Sequence, residues 1–472
     1  MRTLLLLGLV VSVSLAARLS LLVARPLWHD EIFTVWVARL PAADRTAALA
    51  EDSGPPGFYV AARPFVRIAE VFRRDMLVRA LPFLAGLALF AAMGSLPAGA
   101  ARRWGIGLPA AWTLVNLYAA EARAYELVCL AGLVIFLLGL RGSESPGRLA
   151  ALALVGAAAL WLHYLVFLAV GAAIVLALAR RRMRSALALG VSVAAVLPWL
   201  PLLFSQPAEA MAWLRDPPVP SLLGFLSALG GVGRIPAPFG APLPEALPLL
   251  GLLLGVALVG AVGSVARRDI ETRTALALVL LVLALSVAAA LWRPIAFAGR
   301  SEMAVLGVWI WAVAQAATRS RAVAVLAAAA AAAGLAATVL VATGPHPGPV
   351  PVSATRNVAR LARPGDAVVA GPGFYLPARL AADRGELAAR VVSLPAGDAA
   401  HPGWFIAWPL SEDDVRAVEA LARGLPEGAR LFLLLPPVYS TPALMGPLEK
   451  HGRLQELVRQ PDGILSVWTR GG

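Results

Sequence analysis

The chain is poor in the residues that make a protein soluble or that cross-link it. Only 15% of its 472 residues are charged, whereas 59% are hydrophobic, and the mean hydropathy is +0.76. This balance lies outside the range of soluble globular proteins. A single cysteine, Cys129, excludes an intramolecular disulfide and a metal site built on cysteines. The composition therefore predicts a membrane protein with many spans.

Acidic residues are scarce as well, with 28 against 41 basic ones and a formal net charge of +13. An excess of this size could favour nucleic-acid binding, but the arginines are spread out, many as short clusters between apolar stretches. That distribution is typical of positive-inside anchoring in a membrane. We expect no nucleic-acid partner.

Apolar stretches of membrane-spanning length recur along the first 344 residues. A spanning helix needs about 20 mostly apolar residues. The candidates are 3–24, 80–98, 104–120, 124–140, 149–179, 185–204, 244–266, 274–292, 303–317 and 322–342. Arginine clusters in the short loops between them should be cytoplasmic. These clusters are Arg102/Arg103, Arg141 with Arg148, Arg180 to Arg182 with Arg184, Arg267/Arg268 with Arg273, and Arg319 with Arg321.

The stretch 149–179 tests this topology, because both of its flanks, Arg148 and Arg180, belong on the same side. It must cross twice, and we predict a turn near His163-Tyr164. A single helix of that length would be about 46 Å long, which is too long for a hydrocarbon core of about 30 Å. We therefore predict about eleven transmembrane helices, with the N-terminus cytoplasmic and the C-terminus outside. A signal peptide at the N-terminus is the alternative, and it also leaves the first loop outside.

Four segments fall on the outer face under this topology: 25–79, 120–125, 205–243 and the tail from 345. We predict a transmembrane domain, 1–344, which includes outer loop 25–79, and an extracytoplasmic soluble α/β domain, 345–472. Strand-like runs in the tail occur at 367–370, 391–394, 404–408 and 431–435, and a helix at 412–424 has Ser411 as its cap. Their alternation suggests a small, mostly parallel sheet. The Gly371-Pro372-Gly373 turn lacks the spacing of a dinucleotide fingerprint.

Two adjacent carboxylates, Asp30 and Glu31, stand where the first apolar stretch ends. Charged side chains at a membrane edge are costly, so they mark a candidate site for chemistry on a substrate that the membrane carries. Further along the same loop comes Asp52-Ser53-Gly54-Pro55-Pro56-Gly57-Phe58-Tyr59. Arg79-Ala80-Leu81-Pro82 then opens the next span.

This combination resembles the GT-C superfamily of membrane glycosyltransferases, and most closely the branch with protein O-mannosyltransferases and the lipid A aminoarabinose transferase. Members of that branch carry an Asp-Glu pair in the first outer loop, a Pro-Pro-aromatic motif and an Arg-Leu-Pro-like helix start. The resemblance covers residues 1–320 best. It implies an enzyme of the inner (cytoplasmic) membrane that passes a sugar from a polyprenyl-phosphate donor to an extracytoplasmic glycan, lipid or protein.

Such a transfer needs a base for the acceptor's hydroxyl proton and cations for the departing phosphate. We assign Asp30 and Glu31 to the catalytic group, with Asp30 as the base of an inverting displacement. Because adjacent helical residues point about 100° apart, Glu31 suits holding a helix, an arginine or a metal better than sharing that proton. The pair also fits the N-terminal cap of a short helix at 31–40.

Three arginines at the predicted outer edge are candidates for the donor phosphate: Arg79, Arg123 and Arg300. A guanidinium binds phosphate oxygens in a planar, bidentate manner. As alternatives, Arg79 would anchor its helix, Arg123 would belong to a salt-bridged turn, and Arg300 would snorkel to the interface. The resemblance implies a donor-phosphate ligand at Arg300, although the family's usual Arg-Tyr pair is Arg300-Ser301 here.

Five further residues are candidates for the donor or acceptor site: Asp52, Tyr59, Glu121, Tyr125 and His163. Asp52 fits the first residue of a turn equally well, and His163 fits a polar turn. A divalent cation is the one cofactor to consider, since some GT-C enzymes use one. His29, Asp30, Glu31 and Asp52 supply enough ligands for it, but sequence spacing does not show that they converge.

Two other classes remain open as alternatives. A carrier or flippase for lipid-linked sugars would place its charges along a central pathway, whereas these charges gather at outer edges and the spans show no obvious repeated halves. A non-catalytic partner in envelope assembly would have lost the catalytic carboxylates, yet both are present.

Overall fold

The computed structural model of the chain describes residues 2–52, 54–206, 218–235, 239, 243–292, 298–346, 350–399, 410–439, 442–460 and 463–470. The chain divides into two compact units. The helical unit comprises Met1–Arg25, Gly54–Ser205 and Leu214–His346. The sheet unit comprises Pro26–Ser53, Gln206–Trp213 and Pro347–Gly472.

Helices make up most of the described residues. In chain order they are α1 (Arg2–Ala24), α2 (His29–Arg39), α3 (Ala42–Ala50), α4 (Gly57–Phe72), α5 (Ala80–Gly94), α6 (Ala100–Ala111), α7 (Thr113–Tyr118), α8 (Tyr125–Ile135), α9 (Pro146–Leu162), α10 (Val166–Ala179), α11 (Met183–Ala194), α12 (Leu200–Ser205), α13 (Pro218–Leu229), α14 (Ala246–Ala266), α15 (Ile270–Trp292), α16 (Met303–Ala317), α17 (Arg321–Thr343), α18 (Val350–Leu361), α19 (Tyr375–Asp383), α20 (Glu412–Arg423) and α21 (Pro442–His451).

Six helical runs in the described part of the chain are long and apolar enough to cross a membrane, namely Thr3–Ala24, Asp75–Gly94, Met183–Ser205, Ala246–Ala266, Ile270–Leu291 and Arg321–Thr343. Four shorter apolar helices accompany them: Tyr125–Leu140, Pro146–Leu162, Val166–Ala179 and Met303–Ala317. The chain is thus a multi-pass membrane protein, and the count of eleven spans stays a prediction.

The stretch 149–179 is interrupted at the place where the arginines on its two flanks predict a turn. Helix α9 ends at Leu162 and α10 begins at Val166. His163 supports the turn, since its Nδ1 accepts the backbone N–H of Leu165 at 3.1 Å. The two helices that the predicted double crossing requires are therefore present.

Two predicted features of the helical unit differ from the structure. The stretch 104–120 is divided between α6 and α7 at Trp112, whose backbone is extended and whose indole donates to the Ala228 carbonyl at 2.8 Å. Helix α13 lies in the segment 205–243, for which only a Pro-rich loop is predicted. Its prolines cluster at the first turn, where a missing N–H costs nothing.

A buried arginine joins α1 to α7 inside the helical unit. The Nε atom of Arg18 donates to Oδ1 of Asn116 at 2.7 Å, and its guanidinium lies 4.6 Å from the ring centroid of Phe90. Ser14 donates to the same Asn116 oxygen at 2.8 Å. A charge within a spanning helix needs such polar and aromatic neighbours.

Helices α8 and α16 approach closely at two glycines. A Cβ added at Gly132 would lie 2.0 Å from the carbonyl oxygen of Ala304, and one at Gly307 would lie 2.9 Å from that of Cys129. Small residues at such crossings allow the backbones to touch, which is how helices pack well in a membrane. The close crossing brings the start of α8 near the segment that precedes α16.

The sheet unit contains one mixed sheet of five strands, β1 (Ala367–Ala370), β2 (Arg390–Ser393), β3 (Arg430–Leu435), β4 (Gly452–Gln460) and β5 (Gly463–Arg470). Their order is β2-β1-β3-β5-β4. The β2-β1-β3 part is parallel, as predicted, but β5 pairs antiparallel with both β3 and β4. The prediction of a mostly parallel sheet is thus wrong for half of the pairs. The predicted strand at 404–408 lies outside the described residues.

Each face of the sheet is covered by helices. Alternate residues of β1 and β3 supply two cores: Val369 and Leu433 pack with α20 and α21, whereas Val368 and Phe432 pack with α18 and α19. The helix predicted after Ser411 forms as α20. The Ser411 hydroxyl accepts the Asp414 N–H at 3.1 Å, and the Asp414 carboxylate accepts the Ser411 N–H at 3.0 Å. This reciprocal cap confirms the predicted helix start.

Candidate functional site

The predicted site residues fall into both units, and the carboxylate pair belongs to the sheet unit. Asp30 and Glu31 lie in the first turn of α2 and are 5% and 0% exposed. Oε2 of Glu31 accepts the backbone N–H of Trp28 at 3.2 Å. Glu31 therefore holds the helix start, which is one of the roles expected for it, and acids in a first turn also complement the helix dipole.

The neighbours of the carboxylate pair are held by backbone contacts. Nδ1 of His29 lies 3.3 Å from the carbonyl oxygen of Gly373. A carbonyl oxygen only accepts, so this nitrogen carries the hydrogen of the contact. Asp52 is buried and follows α3 in a turn, in which its backbone N–H donates to the Leu49 carbonyl at 3.3 Å.

The residues considered for a metal ion are not gathered into one site. Within the described parts of the chain, no group of three or more His, Cys, Asp or Glu side chains is placed to hold a metal. A divalent cation held by His29, Asp30 and Asp52 stays a prediction.

Five of the predicted residues lie together in the helical unit. The Tyr125 ring lies 5.1 Å from the ring of His163, and Cζ of Arg300 lies 5.3 Å from the Tyr125 centroid. Arg123 and Arg300 both interact electrostatically with His163. Glu121 is fully buried. It belongs to the same neighbourhood, because both Glu121 and Arg300 act electrostatically on the Tyr118 hydroxyl. We call this group, with Tyr118, the Arg300 cluster.

Tertiary packing positions Arg300 in this cluster. The Tyr118 hydroxyl donates to the carbonyl of Gly299, and Oε1 of Glu302 accepts the Gly299 N–H at 2.8 Å. The peptide groups on both sides of Gly299 are thus held by side chains from two different elements. Gly299 has a φ of +92°, a left-handed conformation that glycine adopts without strain.

Two other predicted residues lie elsewhere in the helical unit. Arg79 is fully buried, and its Nη1 donates to the carbonyls of Leu22 and Arg25 at 2.8 and 2.9 Å. It thereby caps the last turn of α1, which agrees with the anchoring alternative, and its phosphate role stays a prediction. Tyr59 is buried in α4, with its ring 6.0 Å from that of Phe58.

Two residues at or beside the Arg300 cluster, Tyr118 and Glu302, are not among the site residues predicted from the sequence. Tyr118 ends α7 and Tyr125 begins α8, and the turn between the two helices brings their rings to 4.7 Å; no periodic pattern indicates this contact. Glu302 is a fully buried acid beside an apolar stretch. For Glu302 the sequence holds a signal, since an acid at such a position has a specific partner as a rule.

Comparison with known proteins places the fold. No protein-family model matches the chain, and no curated protein matches it significantly. The crystal structure of ArnT from Cupriavidus metallidurans in the apo state is similar, with a TM-score of 0.56, 14% identity and coverage of 99% of this chain and 98% of that one. The crystal structure of ArnT from the same organism bound to undecaprenyl phosphate is similar too, with a TM-score of 0.53, 14% identity and coverage of 98% of this chain and 97% of that one.

ArnT is the lipid A aminoarabinose transferase and has the GT-C fold. Similarity over nearly the whole of both chains shows that this chain has that fold too, in its helical unit and its sheet unit together. The resemblance read from the sequence motifs is confirmed at the level of fold. At 14% identity the comparison concerns the fold alone.

Proposed function

We propose that the chain is an integral membrane glycosyltransferase that transfers a sugar from a polyprenyl-phosphate donor to an extracytoplasmic acceptor. The observation that carries the proposal is geometric: Cζ of Arg300 lies 5.3 Å from the centroid of the Tyr125 ring, and the His163 ring lies 5.1 Å from the same ring. Arg123, two residues before Tyr125, adds a second positive charge that acts on His163. Two guanidinium groups beside aromatic rings suit a phosphate with an attached sugar. The binding of undecaprenyl phosphate by ArnT, a protein of the same fold, supports this choice of donor.

In the proposed reaction, Arg123 and Arg300 bind the donor phosphate. The oxygen of an acceptor hydroxyl attacks the anomeric carbon and forms the new glycosidic bond. The bond between the anomeric carbon and the phosphate oxygen breaks, and its electron pair leaves with the polyprenyl phosphate. Asp30 accepts the hydroxyl proton as the general base. A single displacement of this kind inverts the anomeric configuration.

The membrane arrangement belongs to the same proposal. We infer eleven spans in the inner membrane, a cytoplasmic N-terminus, and two domains, 1–344 and 345–472, of which the second is extracytoplasmic. Short loops rich in arginine support this orientation. The first outer loop would then present Asp30 on the side where the acceptor lies.

Labelled sugar transfer tests the proposal. Membranes that contain equal folded amounts of wild type, Asp30→Asn or Asp413→Asn are supplied with a panel of labelled polyprenyl-phosphate sugars. Asp413→Asn is the matched control, because it makes the same change at an exposed carboxylate on α20. We expect transfer by wild type, its loss in Asp30→Asn, and its retention in Asp413→Asn.

The other outcomes separate the alternatives. Equal transfer by wild type and Asp30→Asn would remove Asp30 from the chemistry. Absence of transfer from every donor would favour the carrier or the non-catalytic partner.

A further inference from the structure

Helix α2, which begins with His29, Asp30 and Glu31, packs against α19 of the C-terminal part of the sheet unit. One polar contact joins the start of α2 to the turn before α19, and another joins the last residues of the two helices. His29 Nδ1 lies 3.3 Å from the Gly373 carbonyl oxygen, and Arg39 Nη1 lies 3.6 Å from Asp383 Oδ2. Residues 29 and 39 are ten apart, as are 373 and 383. The equal spacing means that the two segments run side by side in the same direction.

One face of α19 is directed at α2. Leu376, Leu380 and Asp383 follow each other at steps of four and three residues, so they share a stripe of the helix. Asp383 contacts α2, and both leucines are buried. The stripe with Tyr375 and Ala378 instead belongs to the core on the sheet. Helix α19 thus connects α2 to the sheet.

The matching face of α2 does not include Asp30. His29, Ile32, Trp36 and Arg39 share one stripe, whose first and last members make the two contacts with the C-terminal part. Asp30 follows His29 by about 100° around the helix axis. Its carboxylate therefore lies on a neighbouring face of the same helix.

We propose that the C-terminal domain is a positioning domain for the helix that carries the base. Helix α19 fixes the direction of α2 and its position along its own axis, through His29 at one end and Arg39 at the other. Asp30, on a neighbouring face of the same helix, is thereby held at a defined place. His29 and Arg39 are positioning residues, and this inference rests on the proposed role of Asp30.

A charge-swap cycle in the full-length protein tests the packing itself. Arg39→Asp, Asp383→Arg and the double variant are compared by amide hydrogen exchange across residues 29–39. Asp383 also pairs with Arg379 of its own helix at 2.9 Å. Arg39→Asp therefore places like charges together at Asp383 alone, and Asp383→Arg does so at both Arg39 and Arg379. We expect exchange about fivefold faster than in wild type for each single variant. The double variant should exchange more slowly than either single variant. Arg416→Glu is the control, because it alters an exposed ion pair on α20 with Glu412 and Asp413.

Transfer kinetics test the consequence for catalysis. The single charge variants and His29→Leu should lower kcat by about fivefold, while the KM for the lipid donor stays at the wild-type value. His29→Asn should retain most of kcat, because its amide nitrogen can donate to the Gly373 carbonyl. A purely structural defect would instead lower the folded amount and leave no difference between Leu and Asn.

The outcomes distinguish this inference from the proposed function. Unchanged exchange in the single variants, or no coupling in the double variant, overturns the positioning role even when the enzyme is active and needs Asp30. Absence of transfer by wild type overturns the proposed function. The hydrogen-exchange results of the charge-swap variants then test only the packing of α2 on α19.

Discussion

Cζ of the Arg300 guanidinium lies over the ring of Tyr125, 5.3 Å from the ring centroid. A cation over the face of an aromatic ring is attracted by the electrons of that ring. Tyr125 therefore stabilises the charge of Arg300 in the cluster to which we assign the donor phosphate.

Replacing Arg300 by lysine should weaken binding of the lipid donor about tenfold, which is about 1.4 kcal/mol. Lysine keeps the charge but has neither the planar donors nor the stacking face. Binding of a labelled polyprenyl phosphate to purified protein measures the effect. Arg267→Lys is the control, since Arg267 is exposed after α14. Equal affinity in Arg300→Lys and wild type would exclude bidentate recognition by Arg300.

Gly299→Ala should destabilise the protein by about 1–3 kcal/mol. The residue has a φ of +92°, and an added Cβ would lie 2.8 Å from the Arg234 carbonyl oxygen. The turn that presents Arg300 would have to shift, so donor binding should weaken too. Thermal unfolding in detergent is the measurement, with Gly260→Ala as the control, because a Cβ there has no neighbour within 4 Å. An unchanged melting temperature in Gly299→Ala would contradict the strained turn.

Gly132→Ala should force α8 and α16 apart, because the new Cβ would lie 2.0 Å from the Ala304 carbonyl oxygen. Overpacking of this kind costs about 1–3 kcal/mol. We expect a lower melting temperature together with weaker donor binding, since α8 begins with Tyr125. Gly171→Ala, in α10, meets nothing within 4 Å and should behave as wild type. Similar behaviour of the two variants would show that the crossing adapts.

Asp366 should make the sheet unit sensitive to acid. Burial alone would raise the pKa of this carboxyl, but hydrogen bonds from the Arg363 and Arg430 backbones and the Arg430 guanidinium lower it below its usual 3.8. A lowered pKa stabilises the fold above pH 3.8, and this contribution is lost as the pH falls through the lower pKa of the folded state.

Asp366→Asn should therefore destabilise the sheet unit at pH 7 by about 1–3 kcal/mol. The difference in stability between the variant and wild type should shrink as the pH falls below 3.8, because Asp366 of the wild type then becomes protonated and loses its charge too. Hydrogen exchange of the β1 and β3 amides at several pH values measures both effects. Asp413→Asn, which alters an exposed carboxylate on α20, is the control. A difference that persists at low pH would show that the charge of Asp366 is not its source.

The helix pair α9 and α10 shows how far local rules reach in this chain. Arg148 and Arg180 flank one apolar stretch, and loop charge alone requires that it turn. The β4–β5 hairpin also has a local signal in the sequence. Pro461-Asp462-Gly463, between two runs with β-branched residues, is typical of a turn between strands.

The Arg300 cluster lies beyond such rules. Tyr118, Tyr125, His163 and Arg300 come from segments up to 182 positions apart, as the Tyr118 to Arg300 separation shows. Their meeting depends on the glycine crossing of α8 and α16 and on the two hydrogen bonds at Gly299. No short motif contains these contacts.

The amino-acid sequence by itself determined the membrane class, the turn at His163 and the start of α20 at Ser411, because hydrophobicity, loop charge and capping act over a few residues at a time. The fold family was indicated by a resemblance of short motifs in the first outer loop. Only the tertiary structure decided that Arg300 lies over Tyr125, that Arg79 caps α1, and that α2 lies along α19. These contacts join residues far apart in the chain, and their energies depend on distances that packing alone sets.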